Sequence, residues 1–104
     1  MLTFNEITQY ILPVINKHPI ERVIVFGSYA NGTTTSKSDI DLLIDSNGIL
    51  IGMNFFIFAD KLSRLLLIKT DVFELIEIMQ PSPLYEKIMK EGVIIYERKR
   101  LPSF

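Results

Sequence analysis

The feature that most constrains this chain is a break between two short apolar runs. "RVIVF" (residues 22–26) is rich in β-branched residues and stops at Gly27-Ser28; "SDIDLLID" (38–45) then resumes the apolar pattern behind two acids. A run of the first kind reads as a strand covered on both faces. The glycine and serine after it predict a brief helical turn, with Ser28 as N-cap and Gly32 as terminator. Upstream, "TFNEITQYILPVINKH" reads as an opening helix: Thr3 with Glu6 makes a capping-box pattern, and Ile7, Tyr10, Ile11 and Val14 recur at helical spacing. Pro13 is expected to kink that helix or end its regular part. Downstream come a turn at "SNG", a long helix over 49–67, a strand in "TDVFELIEIM", a break at "PSP", a helix over 84–91 and a last strand in "GVIIYE". Strands alternating with helices predict an α/β (α+β) fold, a small sheet flanked by helices.

Length and composition narrow the function classes. A chain of 104 residues has material for one core, so a single domain over 1–104 is expected. The formal net charge of −1 leaves no electrostatic footprint for bulk nucleic acid, and the basic tail "ERKRLPSF" reads as a solvated end. With no cysteine there is no disulfide framework, thiolate metal site or Cys nucleophile, in keeping with a cytoplasmic location. No secretory signal is evident. The most apolar stretch, "ILIGMNFFIFADKLSRLLLI", is interrupted by Asn54, Asp60, Lys61 and Arg64, which argues against a membrane span.

The chemistry concentrates at Asp39 and Asp41. A strand sends residues i and i+2 to one face, so these two carboxylates point together while Ile40, Leu42 and Ile44 point the other way. Their Cα atoms should lie about 6.6 Å apart, close enough for both side chains to converge on one hard cation. Oxygen donors without His or Cys favour Mg²⁺, with Mn²⁺ as a substitute, over zinc. Taken alone, the D-x-D repeat usually marks two solvent-facing charges on an edge strand. The element before it changes the balance. A buried strand that ends in Gly-Ser and opens a helical turn presents backbone N–H groups and the Ser28 hydroxyl to phosphate oxygens, and Gly27 admits a close approach. Lys37 reads as a mobile, solvated lysine, and His18 as a solvated loop histidine. Asp45, Asp60, Glu74 and Glu77 are the further acids that could join the pair.

Gly27-Ser28, ten residues, then Asp39-Ile40-Asp41 resembles the GS-x10-DxD signature of the DNA polymerase β-like nucleotidyltransferases. Within that superfamily "GSYANGTTTSKSDIDLLI" is similar to the minimal nucleotidyltransferases. One departure is Asn31, where that group often has Arg. The resemblance implies a mixed sheet flanked by helices and a third carboxylate on a later strand, which assigns Asp71 of "KTDVFEL". It further implies that Asp39, Asp41 and Asp71 are catalytic and hold two Mg²⁺ ions, and that Gly27 and Ser28 bind the nucleotide. ATP is the implied substrate.

Minimal nucleotidyltransferases resemble antitoxins paired with HEPN-domain ribonucleases, which they inactivate by adding AMP to a tyrosine. The resemblance therefore implies a hetero-oligomer with a HEPN toxin as partner and acceptor. Met53, Phe55, Phe56, Phe58 and Leu62 are candidates for the docking surface, with core packing as the alternative. Two other readings stay open: an antitoxin that only masks its partner, and a transferase acting on a small molecule such as an antibiotic.

Overall fold

A computed structural model describes residues 2–33, 35, 39–78 and 80–98. Lys37 and most of the basic tail lie outside them. Thr3 opens the first helix, α1 (Phe4–Ile15): its hydroxyl accepts the Glu6 N–H at 3.1 Å, and the Glu6 carboxylate accepts the Thr3 N–H at 3.0 Å. Two orphan donors are thereby satisfied reciprocally. Ile7, Ile11 and Ile15 form its buried stripe, whereas Tyr10 turns outward and is 49% exposed. Pro13 sits inside the helix without ending it; two more helical residues follow.

Four strands form one mixed sheet in the order β3-β2-β1-β4: β1 (Arg22–Phe26), β2 (Ile40–Asp45), β3 (Thr70–Glu74) and β4 (Val93–Glu97). β1 is antiparallel to both β2 and β4, and β2 runs parallel to β3. That parallel pair needs a crossover, which α3 (Gly52–Leu66) supplies. One face of the sheet packs on α1 and α3, where Ile40, Leu42 and Ile44 meet Ile7, Ile11, Phe58 and Leu62. On the other face, Ile24, Phe26 and Leu43 pack on Ile88 of α4 (Pro83–Glu91). Both faces of the central strands are therefore covered, as the apolar run of β1 requires.

Three of the boundaries that differ from expectation do so for a clear local reason. α3 starts at Gly52, because Ser46 first closes a turn: its carbonyl accepts the Ile49 N–H and its hydroxyl accepts the Leu50 N–H at 3.0 Å. β3 stops at Glu74, whose carboxylate accepts the Ile76 N–H and turns the chain into a 3₁₀ segment, Leu75–Glu77. Strand β2 begins at Ile40, where its N–H meets the Lys69 carbonyl at 3.0 Å, so Asp39 stands just ahead of the ladder.

Candidate functional site

β1 delivers the chain to Gly27, whose φ of 71° and ψ of −148° belong to a region that only glycine occupies without strain. Position 27 also has no room for a side chain: a Cβ built there would run into the Asp41 carboxylate. Gly27, and not Ser28, caps the short helix α2 (Ser28–Asn31), and the cap has no side-chain hydrogen bond. The positive φ swings the chain early, so Ser28 is already the first helical residue. Its carbonyl accepts the Thr33 N–H at 3.2 Å. Tyr29, 8% exposed, roots α2 in the main core, and Gly32 ends the helix in the left-handed conformation. Asn31 is exposed and holds Thr33 through its side-chain oxygen.

The acids gather through strand register. Asp41 pairs with Phe26 across β1 and with Asp71 across β3, so both acids emerge on one face, with Asp41 against the Gly27 backbone. One residue ahead of each strand, Asp39 and Lys69 fall on that same face by the two-residue period, and Lys69 Nζ lies 3.5 Å from Asp39 Oδ2. Phe26 and Phe73, with ring centroids 5.7 Å apart, lie on this same face. Burial raises the Asp41 carboxyl above its ordinary pKa, and the charges of Asp71 and then Asp39 push it further the same way.

Among the described residues no three His, Cys, Asp or Glu side chains are drawn tightly enough to hold a metal ion; Asp39 leans instead on Lys69. The donor set nevertheless suits a hard divalent cation. All three groups are carboxylates, the charges of Asp71 and Asp39 already perturb Asp41, and a bare glycine lies against Asp41.

The other acids have different partners. Asp45 is ion-paired with Arg22 at 3.2 Å and accepts the Asn47 N–H, so it closes a turn. Asp60 pairs with Arg64 along the exposed side of α3. Glu74, fully buried on the opposite face of β3 from Asp71, accepts the Ser46 hydroxyl at 2.6 Å. Glu77 is exposed in the 3₁₀ segment. A cavity of about 300 Å³, lined in part by Asp45, Gly48, Glu74 and Ile76, opens at the far end of β2, and none of the clustered acids lines it. Half-buried His18 packs edge-on against Phe58 with centroids 5.1 Å apart, which corrects its reading as a solvated side chain. Of the docking candidates, Phe55, Phe58 and Leu62 are core residues, while Met53 and Phe56 are 73% and 70% exposed. Lys69 was not foreseen; its signal is the spacing of "KTD", which repeats two residues ahead of Asp71 the offset of Asp39 from Asp41.

The family model for polymerase beta-type nucleotidyltransferases matches residues 9–101. The chain belongs to that nucleotidyltransferase family. It is similar to two Methanocaldococcus jannaschii proteins, each named "Putative protein adenylyltransferase". Identity to one is 41% over 44 residues, 42% of this chain and 47% of that protein. Identity to the other is 36% over 78 residues, 75% of this chain and 78% of that protein. The chain thus spans about half the length of the first and most of the second. Among solved structures, a toxin–antitoxin crystal structure with AMP-PNP superposes with a TM-score of 0.75 at 21% identity, covering 88% of this chain and 74% of that one. A complex of tri-AMPylated Shewanella oneidensis HEPN toxin with MNT antitoxin gives a TM-score of 0.70 at 17% identity, over 92% and 74%. At these identities the structures establish a shared fold. No helix among the described residues is long and apolar enough to cross a membrane.

Proposed function

We propose that this protein is a nucleotidyltransferase of the minimal type, dependent on Mg²⁺, that moves AMP from ATP onto a tyrosine hydroxyl of a HEPN-domain toxin and so acts as its antitoxin. The observation that carries the reading is the parallel register that sets Asp41 beside Asp71, with the Gly27 backbone against the Asp41 carboxylate. The description shared by the archaeal relatives supports adenylyl transfer, and the toxin–antitoxin fold neighbours support the partner.

Asp39, Asp41 and Asp71 would hold Mg²⁺, which when bound neutralises phosphate charge and favours ionisation of an attacking hydroxyl. Gly27, lacking a Cβ, would let the terminal phosphates approach the backbone, and Ser28 would add its hydroxyl; together they aim the α-phosphorus at the acceptor. The acceptor oxygen bonds to the α-phosphorus as the bond from that phosphorus to the β-phosphate bridging oxygen breaks. Pyrophosphate leaves, and the hydroxyl proton passes to Asp71 or to water. A phenol, with a pKa of about 10, gives up that proton more readily than an aliphatic alcohol.

The test is incubation with ATP, Mg²⁺ and a candidate HEPN toxin, followed by intact-mass and peptide analysis. An AMP increment on a toxin tyrosine is expected, lost in Asp39→Asn and Asp41→Asn variants that keep a native circular dichroism spectrum. Transfer retained by either variant sinks the metal assignment. Neutralisation retained by the double variant makes the protein an antitoxin by masking alone, and turnover of an antibiotic without a protein partner makes it a small-molecule transferase.

A further inference from the structure

Lys69 stands to Asp71 as Asp39 stands to Asp41, two residues earlier on a neighbouring strand. Because β2 and β3 pair Ile40 with Thr70 and Asp41 with Asp71, the register brings Lys69 beside Asp39. The result is a four-cornered array on one face, three carboxylates and one ammonium. Its contact is direct but loose: Nζ to Oδ2 is 3.5 Å, with the lysine side chain 74% exposed and that of Asp39 38% exposed. An ion pair this open contributes little and is readily exchanged for a stronger partner. A divalent cation is such a partner, since it carries twice the charge and prefers hard oxygen donors.

Without a cation the three acids repel one another, and among the described residues Asp39 is the one with a lysine partner in this array. With a cation the repulsion is relieved, and the lysine becomes a competitor for Asp39. We propose that Lys69 is a positioning residue: its ammonium holds Asp39 aside from Asp41 and Asp71 until a divalent cation draws that carboxylate away. The inference rests on the nucleotidyl-transfer reading of the same cluster and deepens it. Lys69 sets how much free metal the site requires, and so makes the loaded state depend on metal supply.

The test follows Mg²⁺ titrations of the full chain without nucleotide by NMR, reading the aspartate carboxyl carbons and the lysine Nζ signals. In Lys69→Ala the midpoint should fall about two- to five-fold, the scale of one exposed ion pair. In the unsubstituted protein the Lys69 Nζ signal should shift with the same midpoint as Asp39. Lys69→Arg, which keeps the charge, should stay near the original midpoint. An unchanged or higher midpoint in Lys69→Ala overturns the proposal. A lower midpoint with no movement of Lys69 Nζ also overturns it, because repulsion at a distance would then suffice. If no aspartate carbon responds to Mg²⁺ in a folded protein, the metal reading of the cluster itself has failed. A response at Asp41 and Asp71 with Lys69 indifferent removes this inference alone.

Discussion

Asp41→Asn should make the metal-free protein more stable while removing transfer. Asp41 and Asp71 are register partners on parallel strands, which stand about 4.8 Å apart. Two unit charges about 5 Å apart repel by roughly 0.8 kcal/mol in water and roughly 3 kcal/mol at an effective dielectric constant of 20. Asp41 is only partly withdrawn from solvent, so the lower end governs, and removing its charge should release about 1 kcal/mol. For a chain of this size that raises Tm by about 4 °C. Asparagine keeps the shape that fills the space beside Gly27.

The pH dependence gives the sign independently. The raised Asp41 pKa means that the fold favours the protonated carboxyl: that contribution is complete below the ordinary aspartate value of 3.8 and is lost as pH rises through the folded value. The advantage of Asn over Asp should therefore be greatest at neutral pH and vanish toward pH 3.8. Mg²⁺ at ten times its Kd should stabilise the original protein by about 1.4 kcal/mol and the variant far less, reversing the order. Thermal melts in EDTA and in Mg²⁺, across pH, read all of this. A variant that melts below the original protein in EDTA at neutral pH refutes the like-charge reasoning.

Gly27→Ala meets both a glycine-only backbone conformation and the Asp41 carboxylate; a loss of about 1–3 kcal/mol is expected by chemical denaturation, with transfer abolished. Ser46→Ala removes the partner of one oxygen of the buried Glu74 carboxylate and of the Leu50 N–H, so it should cost about 1–3 kcal/mol, and a cost near zero would show that water replaces the hydroxyl. His18 has its pKa lowered, chiefly by burial and then by Lys61 and Lys17, so it contributes stability above its unfolded value of about 6.5 that is lost as pH falls through the folded value. In His18→Asn the decline in Tm between pH 7 and pH 5 should flatten. Phe58→Ala, opening a cavity at a fully buried ring, should cost about 3–5 kcal/mol in the same denaturation assay.

What could be read from the chain was what local chemistry decides. The β-branched run before Gly27 is a strand, the Thr3–Glu6 box opens a helix, and Gly32 ends one, because each signal acts within a few residues. What could not be read depends on contacts distant in sequence. Glu74 looks like one more acid until its partner, Ser46, arrives from 28 residues away. Phe55 and Phe56 are chemically alike, and only the direction of α3 buries one and exposes the other. Lys69 carries no mark of its own; it matters through the parallel register, which no stretch of either strand states by itself.

That register is also the link between the core and the acids. Side chains on a strand alternate with a strict period of two, so a one-residue slip of β3 against β2 would turn Asp71 toward the helices and Glu74 away from them. The buried carboxylate of Glu74 disfavours the slip, which would cost it its bond: in the observed register it lies beside Ile44 and accepts the Ser46 hydroxyl, and Asp41 lies beside Asp71. Ser46 in turn holds the Leu50 N–H, which ties the crossover into α3 to the same bond. A polar pair hidden at one end of the strands thus sets which charges face each other at the other end. Glu74 is then no rival to Asp71 for the cluster, because its buried bond to Ser46 and the core packing of Val72 favour the register that sets Asp71 there.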